Sequence, residues 1–117
     1  ALMAPYMKPL TDLVVQYIEH EGIEVVDAIC FEIPDNLEVG RRDPLQLLDD
    51  VKRLDTRRAD VIVASACVQM PSLPAVQRIQ DATGIPTVST AVCTVRRMLE
   101  HLDLAPVVPG AGALLAG

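Results

Sequence analysis

A cysteine placed where an apolar run stops is the residue of this sequence best suited to chemistry. In the stretch Ala59 to Pro74, ADVIVASACVQMPSLP, the run ends at Cys67 and a proline-punctuated helix start follows. Backbone N–H groups at a helix start favour negative charge, so they lower the pKa of a nearby thiol and receive a carboxylate or phosphate oxygen. Pro71 and Pro74 stiffen the turn around it. The competing reading is an inert structural thiol, because free cysteine is among the most buried residue types. Cys67 follows its strand rather than lying within it, which favours a functional role. Cys30, inside a strand, and Cys93, inside a helix, read as structural.

Two neutral donors lie in loops of the same kind. Tyr6 brings a phenol and Asn36 an amide, both able to hold a carboxylate without adding charge. They stand 61 and 31 residues before Cys67, so only the fold brings the three together. Taken singly, a surface tyrosine and a turn-forming asparagine are the simpler readings. Lys8, Arg41 and Arg42 flank the same loops; they attract an anion or, as the simpler reading has it, are solvated surface charges. His20 and His101 fall near helix C-termini in EHEG and LEHLD contexts, where capping and the helix dipole account for them. With no histidine near Cys67, a protease-like Cys–His pair is disfavoured. The sequence shows no Ser-His-Asp arrangement, metal-ligand cluster or P-loop, and the GAG near the end lacks the third glycine and the strand-to-helix setting of a dinucleotide site.

Composition narrows the partners. Ten basic against sixteen acidic residues leave a net charge of -6, which opposes binding to a phosphate backbone. Only three aromatic residues, none of them Trp, are available to stack bases. The cysteines are odd in number and 37 and 26 residues apart, which gives neither a disulfide framework nor CxxC metal spacing. A reducing cytoplasm is the expected compartment. Neither an apolar run of about 18 residues nor a leader sequence is visible, so no membrane is expected. The opening ALMAP reads as chain already inside a strand, and a segment upstream of it is expected.

The elements that must position these groups alternate. Leu10, Leu13, Val14, Tyr17 and Ile18 recur at helical spacing in a helix opened by Pro9 and closed by Gly22. Ile23 to Ile33 reads as a strand, and Pro34 to Gly40 as a loop. Asp43-Pro44 opens a helix carrying Leu47, Leu48, Val51 and Leu54. Val61 to Ser65 reads as a strand buried on both faces, Leu73 to Ala82 as a helix ended by Gly84, and Ile85 to Ser89 as a strand. Thr90 then caps a last helix striped with Val95, Met98, Leu99 and Leu102. This alternation predicts an α/β fold, a doubly wound four-stranded parallel sheet flanked by helices, whose ligands bind beyond the carboxyl ends of the strands. The loops selected by that rule are Pro5 to Lys8, Pro34 to Gly40 and Ala66 to Ser72. The uncharged tail from Pro106 to Gly117 would be sticky if free in water, so it is expected to pack against something.

The blocks SACVQMPSLP, APYMKPLTDLV, EIPDNLEVG and VPGAGALLAG together resemble the C-terminal half of bacterial maleate cis-trans isomerases. These belong to the aspartate/glutamate racemase superfamily, as does arylmalonate decarboxylase. The resemblance implies one half of a two-domain, pseudo-symmetric racemase-like fold, with residues 1–89 as the second α/β half and 90–117 as a crossover helix and tail packed on the missing first half. It implies a cofactor-free, metal-free isomerisation of maleate to fumarate by two cysteines. It places the second of these at Cys67, a substrate-contacting tyrosine at Tyr6, a carboxylate-binding asparagine at Asn36 and a carboxylate-holding backbone N–H at Val68. The first cysteine, which forms the succinyl thioether, belongs to the missing half, and neither Cys30 nor Cys93 matches its motif. The implied partners are a small dicarboxylate, that missing half and further copies of the enzyme in a homo-oligomer; the segment alone is expected to be inactive. A related racemase or arylmalonate-type decarboxylase, or a non-catalytic thiol-bearing binding domain, are the alternatives.

Overall fold

A computed structural model describes residues 1–65 and 70–116 of the chain. Its centre is a parallel sheet of β1 (Leu2–Ala4), β2 (Ala28–Cys30), β3 (Ile62–Ala64) and β4 (Thr87–Val88), in the order β2-β1-β3-β4. Met3 stands opposite Ile29 and Ala64, while Leu2 stands opposite Ala28 and Val63, so alternate residues define two faces. The strands are shorter than the apolar runs suggest. β1 offers only Leu2–Ala4 as partners, and β2 is correspondingly confined to Ala28–Cys30 within the expected Ile23 to Ile33.

From β1 the chain steps outward to β2, then returns past β1 to β3 and on to β4. Crossovers between parallel strands are right-handed, so the helix after β1 lies on one face and those after β2 and β3 on the other. The first is α1 (Lys8–His20), with Pro9 in its first turn and Gly22 beyond its end at φ +88°. On the opposite face Asp35 caps α2 (Asn36–Arg41), accepting the Leu37 N–H at 2.8 Å. The expected loop from Pro34 to Gly40 is therefore mostly helix, because an aspartate ahead of Asn36 supplies its missing acceptor. Asp43 caps a 3-10 turn at Pro44–Gln46 in the same way, leading into α3 (Leu47–Asp50) and a second 3-10 turn at Val51–Arg53. Tightened turns flank α3 where one continuous helix is expected.

Next comes α4 (Leu73–Thr83), which ends at Gly84 in the left-handed conformation, φ +71°. The Gly84 N–H reaches the Gln80 carbonyl at 2.8 Å, a helix ending that favours glycine. The last helix, α5 (Thr90–His101), is capped by Ser89 rather than Thr90. The Ser89 hydroxyl accepts the Val92 N–H at 3.2 Å, and Thr90 is the first helical residue.

Met3, Ile62 and Ala64 meet Leu47, Val51, Ala75 and Ile79 in the main core, between the sheet and the α3/α4 layer. Burying each large side chain there contributes about 1.5–3 kcal/mol. A second, smaller cluster joins Val92 to Ala111 and Leu115 of the tail, with Val88 and Leu99 against it. The tail is pinned by a bridge between Val107 and Ala116 and by the Arg96 guanidinium, which donates to the Leu114 carbonyl at 2.7 Å. Ala111 and Leu115 are thus buried within this chain, while Val107 faces outward. Val63 is only half-buried, contrary to the expectation of a strand covered on both sides. Among the described residues no helix is long and apolar enough to cross a membrane.

Candidate active site

In this strand order β1 lies between β2 and β3, and the chain leaves β1 and β3 toward opposite faces. In folds of this kind ligands bind at such a switch point, beyond the carboxyl ends of the two strands. The loop after β1 carries buried Pro5 and half-buried Tyr6. The loop after β2 lies against it through three backbone bonds. Phe31 N–H donates to the Ala4 carbonyl at 2.9 Å, Glu32 N–H to Tyr6 at 3.1 Å and Ile33 N–H to Pro5 at 3.1 Å. Glu32 adopts φ +52° to make this turn, a conformation that a residue with a side chain takes only when its surroundings impose it.

Asn36 opens α2 directly after this clamped turn, on the exposed side of the loop. Tyr6 and Asn36 thus belong to two loops fastened to each other. Cys67 and Val68 lie outside the described residues. The flanks of their segment are both anchored: Ser65 N–H donates to the Met3 carbonyl at 2.8 Å, and Ser65, Met70 and Ser72 are buried. The Ser72 hydroxyl, just ahead of α4, is buried without a hydrogen-bond partner.

The cations flanking these loops divide. Lys8 is exposed and bonded to Asp12 at 3.1 Å; that bond and the adjacent charge raise its pKa. Arg41 is exposed, whereas Arg42 is not the solvated charge that its sequence context suggests. Its guanidinium pairs with Asp50 and lies 4.1 Å over the Phe31 ring, with both charged side chains only 13% exposed. Sequence reasoning missed this arrangement because Arg42 follows α2 and Asp50 ends α3, so no single periodicity relates them.

Cys30 ends β2, half-buried, and Cys93 lies on the outer part of α5, where partial burial pushes its thiol pKa up. His20 and His101 are the last residues of α1 and α5, as their contexts suggest. Among the described residues no group of three or more His, Cys, Asp or Glu could hold a metal ion.

Among the described residues Tyr6, Asn36 and the start of α4 thus follow the carboxyl ends of β1, β2 and β3, at one end of the sheet. The family model described as arylmalonate decarboxylase matches residues 1–115. The chain is 59% identical to a maleate isomerase of Geobacillus stearothermophilus over its whole length, which is 47% of that relative. A maleate isomerase from Pseudomonas putida, a cysteine-to-alanine variant solved with maleate, superposes with a TM-score of 0.94 at 51% identity, over 99% of this chain and 46% of that one. A Nocardia farcinica maleate cis-trans isomerase, solved as a cysteine-to-serine mutant with a covalently bound succinylcysteine intermediate, gives 0.91 at 43% identity, over 97% and 46%. A crystal structure of arylmalonate decarboxylase, at 21% identity and a TM-score of 0.80 over 98% of this chain and 51% of that one, shares the fold. The chain spans about half the length of the relatives it matches. A four-stranded parallel sheet of racemase-like topology, matched by the family model over nearly its whole length, makes this chain a member of the arylmalonate decarboxylase family.

Proposed function

We propose that this chain is the second half of a cofactor-free maleate cis-trans isomerase and supplies Cys67 as the second of its two thiols. The observation that carries the reading is the fastening of the Tyr6 loop to the loop that leads into Asn36, beside β3, whose following residue Ser65 is bonded to β1. Maleate to fumarate requires rotation about a carbon–carbon double bond, which is prohibitive until a nucleophile adds and leaves a single bond. The thiolate of the missing half adds to one alkene carbon, and the displaced electron pair moves to its neighbour. Cys67 gives that neighbour its proton, forming the succinyl thioether. After rotation Cys67 recovers a proton from the same carbon, the carbon–sulfur bond breaks, and fumarate leaves with the first thiolate restored. Tyr6, Asn36 and the Val68 N–H hold the two carboxylates while the bond turns. A thiol serves both directions when its pKa lies near the working pH.

Residues 1–89 form the α/β half, and residues 90–117 supply a surface for the missing half. Val95, Met98 and Leu102 stand 38, 57 and 64% exposed along α5, and Leu104 and Val107 continue the apolar strip. Free thiols suit a reducing cytoplasm, and apolar surface beyond what the first half covers would support a homo-oligomer.

Turnover of maleate by the full-length enzyme, followed by intact mass, tests the reading. Cys67→Ala is expected to lower kcat by about 10²–10⁴-fold, the usual worth of a positioned proton donor. The chain of residues 1–117 alone is expected to show no turnover and no mass gain with maleate. Turnover by this chain alone, or full activity of Cys67→Ala, would overturn the two-thiol scheme, and turnover of an arylmalonate in place of maleate would move the chain to the decarboxylases.

A further inference from the structure

Between Phe31 and Arg42 the chain makes an excursion with Asn36 near its middle, and its two ends meet. Phe31 is fixed to β1 through its N–H bond to the Ala4 carbonyl at 2.9 Å. Arg42 closes the excursion by laying its guanidinium 4.1 Å over the Phe31 ring while pairing with Asp50. Asp50 ends α3, whose Leu47 is fully buried in the main core. Within the excursion Glu32 and Ile33 are bonded to the β1 loop and Ile33 and Val39 reach the core, while residues 34–38 between them are exposed.

A buried cation is costly unless paired, so the Arg42 pair is a device for holding geometry more than for stability. One of its nitrogens, Nη1, is buried without a hydrogen-bond partner, so the guanidinium is held there at the expense of an unmet donor. Arginine is suited to this place because its flat guanidinium can stack on a ring and bond a carboxylate at once, which a lysine ammonium cannot do.

The geometry points to Arg42 as a positioning residue for Asn36: its clasp on Phe31 and Asp50 sets where the excursion presents the Asn36 amide to a substrate carboxylate. This rests on the reading of Asn36 as a carboxylate-binding group. Arg42 touches no substrate and acts only through the loop.

The test is a double-mutant cycle in the full-length isomerase, with KM and kcat for maleate measured for Arg42→Lys, Asn36→Ala and the two combined. Arg42→Lys is expected to raise KM about tenfold with kcat within about threefold of the native value, the pattern of a lost binding contact. Asn36→Ala is expected to raise KM at least as much, and adding Arg42→Lys to it to raise KM no further, because the two changes act through one contact. An unchanged KM for Arg42→Lys, or the same rise with and without Asn36, would overturn the positioning role and leave the site reading intact. An Asn36→Ala enzyme with native constants would instead overturn the site reading itself, and with it the role of Arg42. Should Arg42→Lys fail to fold, Phe31→Leu removes the stacked ring while keeping an apolar side chain, and the same pattern is expected of it.

Discussion

The two faces of the sheet are built to different standards. Toward α3 and α4, Met3, Ile62 and Ala64 are completely buried, and the helices return fully buried Leu47, Ala75 and Ile79. Toward α1 and α5 the cover is uneven: Leu2 and Ala4 of β1 are buried, but the rest is thinner. Val63 and Val88 are half-buried, α1 buries only Thr11 completely and α5 only Val92. Leu10, Leu13 and Tyr17 on α1 stand 47, 61 and 70% exposed, at the spacing that ordinarily marks a core-facing stripe. An apolar stripe left in solvent signals an unmet contact. One face is therefore closed within this chain, and the other leaves apolar side chains in solvent.

The contrast can be broken most directly by truncating one residue on each face. Leu47→Ala is expected to destabilise this chain by about 2–5 kcal/mol, the range for buried leucines. Leu13→Ala should change stability by no more than about 0.5 kcal/mol, as for exposed positions. Chemical denaturation of both decides it: similar losses would mean that α1 is as firmly seated as α3. A smaller effect probes the thin side at its best-anchored point. Ser89→Ala removes the cap on α5 and should cost about 1 kcal/mol, read by the same denaturation. A neutral result would show that the small cluster around Val92 holds α5 without it.

The smallest effect lies outside both layers, on the exposed Asp55. The side-chain bond from Arg57 lowers its pKa from 3.8 to about 2. A carboxylate whose folded pKa is depressed stabilises the fold above its unfolded pKa and loses that contribution as pH falls toward the folded one. The loss should therefore fall between about pH 4 and pH 2 and be slight, since the pair is solvated. A carboxyl carbon titration by NMR should find the depressed value and its return toward the ordinary one in Arg57→Gln; an unshifted Asp55 in the native chain would sink the assignment.

The difference between the faces also explains what could be read in advance. Helices α1, α4 and α5 announce themselves through apolar spacing and the proline, serine and glycine signals at their ends, and alternation alone implies the parallel sheet. Apolar spacing does not say whether a stripe is covered, so spacing marked the stripe on α5 and only the resemblance led one to expect it uncovered. Short local features escaped for another reason. Asp35 turns an apparent loop into a helix by a single side-chain bond, and Ser89 displaces Thr90 as a cap although both residues are suited to the role. The placing of both Tyr6 and Asn36 beyond the carboxyl ends of the strands followed from the alternation of elements, and the resemblance supplied their expected roles. The buried arginine was illegible because Phe31, Arg42 and Asp50 meet only when the chain folds back over itself, and nothing in their types or spacing marks them.

The bonds from Phe31, Glu32 and Ile33 to Ala4, Tyr6 and Pro5 have an entropic consequence. Two independent loops would each have to be ordered when a ligand arrives, and that cost would come out of its affinity. Joined edge to edge, they are ordered once, during folding. A small ligand, with few atoms from which to draw binding energy, gains most from a site whose parts are already at rest.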